Sequence, residues 1–99
     1  MRALDRKALR MVLDHLEGVG VVAGEQRYPV RYWITIFSDQ RGIRGKGKLE
    51  LPSPEAARLA GTATLTLELA SGQSMDVQFT AVGDGPVVSV ESRGRVPGY

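Results

Sequence analysis

Residues 63–82 constrain this chain more than any other stretch, because they specify one β-hairpin in one register. Leu65, Leu67 and Leu69 alternate with Thr64, Thr66 and Glu68, and Met75, Val77, Phe79 and Ala81 alternate with Asp76, Gln78 and Thr80. A period of two on both arms gives each strand one apolar and one polar face. Ala70-Ser71-Gly72 joins them. A three-residue loop requires a left-handed residue at its last position, which glycine adopts at little steric cost. That loop sets Leu69 opposite Gln73, Leu67 opposite Met75, Leu65 opposite Val77 and Ala63 opposite Phe79, so the apolar residues share a face. A two-residue loop would set leucines against Asp76 and Gln78, so turn and face pattern select the same register.

Further strands surround this hairpin. Val19 to Ala23 form a short one, turned at Gly24-Glu25-Gln26. Val30, Tyr32, Ile34 and Ile36 alternate with Arg31, Trp33, Thr35 and Phe37. Both faces of this long strand carry large side chains, so part of each is expected to be covered. Pro29 fits only near a strand start or an edge. After a loop at 38–42, a return strand runs from Ile43 to Leu51, with Arg44, Lys46, Lys48 and Glu50 on one face and Gly45, Gly47, Leu49 and Leu51 on the other. Glycines on an inward face imply a sharp bend or a close backbone approach. Ser53 caps a short helix with Pro54 in its first turn, and Gly61 stops it. Gly83-Asp84-Gly85 makes another turn, and Val88 and Val90 mark a last strand.

The N-terminus reads differently. Asp5 is placed as a helix N-cap, with Leu4 and Leu9 spaced as a hydrophobic staple. Leu9, Val12, Leu13 and Leu16 form an apolar stripe at helical spacing, and Gly18 ends the helix. So short a helix needs a sheet, a second copy or a partner to dock on. His15 falls beside the stripe as a helix-surface residue.

The expected fold is therefore α+β, mainly β: a small, highly curved antiparallel sheet or a five- to six-stranded barrel. It has an N-terminal amphipathic helix and a short helix after the third strand. Its 99 residues make one domain, 1–92, followed by a flexible basic tail, 93–99. No apolar run is long enough to span a membrane and no secretory signal opens the chain. The absence of cysteine removes disulfides and thiolate chemistry and fits a cytoplasmic setting. Charge is uneven: residues 25–48 carry a net +4 and residues 49–92 a net −5. Such a split suggests a polar partner or head-to-tail self-association.

Catalytic chemistry has little to work with. The carboxylates of Asp5, Asp14, Glu25 and Asp39 are not fixed at acid–base distance by any motif, and the serines lie at caps, turns or strand positions. Residues 42–48 share the composition of a phosphate loop without its spacing. The expectation is a non-enzyme with no cofactor and no metal site.

Binding has more support. Arg44, Lys46 and Lys48 point one way, with Arg31 and Trp33 on the neighbouring strand and Arg27 at its start. A basic ladder tracks phosphates and an adjacent aromatic can stack a base, so nucleic-acid binding through residues 31–48 is one reading. Lysines on an edge hairpin equally discourage aggregation. Arg27-Tyr28-Pro29-Val30-Arg31 resembles the Arg-x-x-x-Arg motif that opens PilZ domains just before a barrel strand. The resemblance implies a similar barrel and two arginines that would grip cyclic di-GMP. That family's second motif, Asp/Asn-x-Ser-x-x-Gly, is absent, so the resemblance implies a degenerate, non-binding barrel, and a degenerate PilZ-like nucleotide-binding barrel is the remote alternative. The favoured reading is a non-catalytic module that binds a protein partner or a second copy of itself, through the face formed by Leu9, Val12, Leu13 and Leu16.

Overall fold

The computed structural model describes residues 10–60 and 64–99. Among the described residues, six strands and one short helix follow in order: β1 (Met11–Ala23), β2 (Arg27–Asp39), β3 (Gly42–Glu50), α1 (Pro54–Ala60), β4 (Leu65–Glu68), β5 (Ser74–Val82) and β6 (Val87–Arg93). They close into an antiparallel barrel in the order β1-β2-β3-β6-β5-β4.

The β4–β5 hairpin has the register its sequence dictates. Leu65 pairs with Val77 and Leu67 with Met75, the Leu69 N–H donates to the Gln73 carbonyl at 2.8 Å, and Gly72 sits at φ 92°. Leu67 and Val77 are fully buried and Gln78 is exposed, while Thr66 is half-buried with its hydroxyl 3.1 Å from the Asp76 carboxylate. Ala63 lies outside the described residues.

The inward glycines of β3 allow the close approach expected of them. A methyl group on Gly47 would overlap the Trp33 carbonyl oxygen and stand 2.8 Å from the Ile34 Cα. One on Gly45 would meet Ile34 and Ile36 at 3.1 Å. Ile34, Ile36, Leu49, Val88 and Val90 fill the space beneath. Helix α1 starts where Ser53 caps it, its hydroxyl accepting from the Ala56 N–H at 3.1 Å, and packs Ala56, Ala57 and Ala60 into the core. In the segment read as a tail, Arg93 belongs to β6 and Val96 is buried in the core.

The N-terminal helix is corrected. Residues 11–17 are strand, part of a 13-residue β1 whose partners on β2 run from Met11 with Ser38 to Ala23 with Arg27. Asp5, Leu4 and Leu9 lie outside the described residues. The register shifts between Val12 and Asp14, so Leu13 is the extra residue of a bulge. That bulge breaks the period of two and leaves apolar residues at helix-like spacing. The competing strand preference comes from Gly18 to Val22, a Gly- and Val-rich run hostile to helix, and from the β-branched partners Ile34, Thr35 and Ile36.

Gly18 is not a helix stop; it makes room for a barrel residue. A methyl group there would lie 2.9 Å from the Tyr32 hydroxyl, which accepts from the Ala70 N–H at 3.0 Å. Buried Tyr32 thus ties β2 to the β4–β5 turn at the level where β1 leaves the closed part of the barrel.

Candidate interaction surface

Among the described residues, only Val21, Val22 and Ala23 of β1 pair with β4, opposite Glu68, Leu67 and Thr66. Beyond them the β4–β5 hairpin turns back, while β1 and β2 continue together for about ten residues. Among the described residues, 11–20 of β1 therefore have a paired strand on one side alone, although at Gly20 the Glu68 carbonyl of β4 already lies so close that an added methyl group would overlap it. The His15 N–H is met by the Asp14 carboxylate at 2.8 Å, a local bond made by the side chain of the preceding residue. Apolar side chains flank the open edge: Met11 and Val19 are each 62% exposed and Val12 is 53% exposed. Leu13 is also exposed, whereas Leu16 is half-buried against the core. The four-residue stripe expected on a helix is thus divided: Val12 and Leu13 face out, Leu16 packs inward, and Leu9 lies outside the described residues.

The basic residues separate into three groups. Arg31, Trp33, Lys46 and Lys48 share the outer face of β2 and β3, where Trp33 pairs with Lys48 and Thr35 with Lys46. Trp33 is 36% exposed there. Arg27 is held by Glu68 of β4 through two hydrogen bonds of 2.8 and 3.0 Å. Arg44 is bonded at 2.8 Å to Asp39 across the tight β2–β3 turn and lies over the Phe37 ring, with Arg10 on the same ring at 4.4 Å from its centroid. Phe37 is buried on the outer side of the sheet, so the large residues on both faces of β2 are covered in part. The Arg41 backbone N–H, then the Arg44 guanidinium, hold the Asp39 carboxyl below its ordinary range. A depressed value stabilises the turn above the usual carboxylate pKa, and that contribution is lost as pH falls through the lowered one.

Barrel closure also redistributes the charge that looks segregated along the chain. Glu50 pairs with Arg31, Glu91 with Lys46 and Glu17 with Trp33, and the Lys46–Glu91 ion pair spans 4.0 Å. With Arg27–Glu68, the Glu50 and Glu91 contacts place acidic residues of the second half beside bases of the first, and Glu17 adds a carboxylate from β1. The basic ladder is therefore interleaved with carboxylates. Such exposed pairs contribute little stability, but they weaken a surface meant to track phosphates.

Among the described residues no group of three His, Asp or Glu side chains is placed to hold a metal ion. An open cleft of about 400 Å³ lies at the other end of the barrel, lined by Val22, Gln26, Tyr28, Leu59 and Leu65 among others. Glu25 and Tyr28 are the titratable side chains among the described residues that line it. No described helix is long and apolar enough to cross a membrane. Comparison with protein-family models, curated proteins and solved structures finds no match.

Reading the sequence missed the edge itself, with Met11 and Val19, and the Arg10–Phe37–Arg44–Asp39 cluster. Asp39 pairs with Gly42 across a two-residue turn, and Arg44, two residues on, lies diagonal to Asp39 on the same face, a spacing that was a usable signal. The edge had no local signal, because it depends on where β4 ends.

Proposed function

We propose that this chain is a non-catalytic interaction module that docks an extended segment of a protein along the open edge of β1. The observation that supports this reading is the one-sided pairing of residues 11–20, flanked by exposed Met11, Val12 and Val19. An unpaired strand edge offers a row of backbone donors and acceptors, and adjacent apolar side chains add contact area and specificity. A second reading, single-stranded nucleic acid on the outer face of β2 and β3, draws on the half-exposed Trp33 beside Lys48. Glu17, Glu50 and Glu91 on that same face weigh against it.

Lysine on a sheet edge is a means by which proteins keep such edges unpaired. Val19→Lys is therefore expected to weaken binding of extended peptides, selected from a random display library, by at least about tenfold. Its thermal midpoint should stay within a few degrees of the parent's, because the position is open to solvent. Peptides that bind the variant equally well would remove the edge from the account. Steeply salt-dependent binding of an oligonucleotide, with no peptide binding, would support the second reading instead.

A further inference from the structure

We propose that the occupant of the β1 edge is a basic extended segment of another protein, and not a second copy of this chain. This rests on the edge-docking reading above and adds the chemistry of the partner. A strand laid along residues 11–20 runs past the exposed carboxylates of Asp14 and Glu17. Asp14 pairs with Ile36 of the inward face and Glu17 with Trp33 of the outward face, so an added strand meets one carboxylate on each of its sides. No lysine or arginine occurs from Met11 to Ala23. Arg10, at the start of the edge, is engaged over the Phe37 ring, and Arg31 stands one strand further in, opposite Val19.

These charges decide between the two kinds of occupant. Pairing β1 with β1 of a second copy doubles the carboxylates on two adjacent strands and brings no cation from within either strand to offset them. Like charges on neighbouring strands disfavour that pairing. A segment in which lysine or arginine alternates with apolar residues carries its cations on one face: set against Asp14, they leave its apolar residues to meet Val12 and Val19, and set against Glu17, they leave them to meet Met11.

The test is a titration of the full chain with labelled peptides of about nine residues, long enough to follow residues 11–20 at roughly 3.3 Å per residue. One alternates valine with lysine, one valine with glutamate and one valine with glutamine. At low salt the lysine peptide is expected to bind about fivefold more tightly than the glutamate peptide, the one gaining an exposed charge pair where the other meets like charge. Raising the salt should shrink that ratio. The double variant Asp14→Asn, Glu17→Gln should abolish the preference while leaving the glutamine peptide's affinity unchanged. Equal binding of all three peptides would overturn the charge inference and leave strand addition standing. Binding of none would overturn both. A mass that doubles with concentration, with protection of the 11–20 amides in the dimer, would show that the second copy is the occupant.

Discussion

Gly47→Ala is expected to unfold the barrel or to lower its stability by at least about 3 kcal/mol. The added methyl group would overlap the Trp33 carbonyl oxygen and crowd the Ile34 Cα, both backbone of the neighbouring strand. Backbone held in a ladder cannot step aside as a flexible side chain can. β3 is paired on both sides here, Gly47 with Ile34 of β2 and with Val90 of β6, so moving one strand disturbs a second seam. Gly42→Ala is the control for glycine loss as such. Gly42 has a positive φ of 108° but no atom within reach of an added methyl group, so only conformational strain is at stake. Urea unfolding of both variants checks the argument. A Gly47→Ala protein as stable as the parent would show that the β2–β3 backbones are further apart than described.

Leu67→Ala should cost on the order of 2–5 kcal/mol, with the fold retained. Leu67 has no exposed surface and lies between Met75 of β5 and Val22 of β1. It stands at the β1–β4 seam, among the described residues the shortest pairing in the barrel, where three residues of each strand close the ring. Removing its side chain leaves a cavity where few backbone bonds hold the walls. Denaturant unfolding measures the loss. A cost under about 1 kcal/mol would mean that the site is poorly packed or collapses fully around the change.

The parts of the fold that could be read from sequence are those whose cause is local. The β4–β5 hairpin carries its own alternation and its own turn glycine, and Ser53-Pro54 marks the start of α1 within four residues. Gly45 and Gly47 announced a close approach without saying to what. What could not be read depends on segments far apart in the chain. Residues 11–17 fit a helix or a strand until β2 is present to pair with them, and the bulge at Leu13 hides the strand period. The β3–β6 and β1–β4 pairings that close the barrel have no turn to announce them. The candidate site divides in the same way. The shared face of Lys46, Lys48 and Trp33 follows from alternation on one hairpin, but their acidic neighbours Glu17 and Glu91 arrive on β1 and β6. A block of positive charge in the sequence is thereby a mixed surface in the barrel.

Between residues 11 and 20 β1 is a strand paired on one side alone, and amide hydrogen exchange of the unbound protein tests this most directly. In an antiparallel edge strand, successive amides point alternately toward the partner and away from it. Slow and fast exchange should therefore alternate along β1 from Asp14 to Val19, with Val21 to Ala23 protected throughout because β4 covers their other side, which it already approaches at Gly20. Uniform protection from Asp14 to Val19 would mean a helix or a strand already paired on both sides, and would contradict the open edge on which the proposed docking depends.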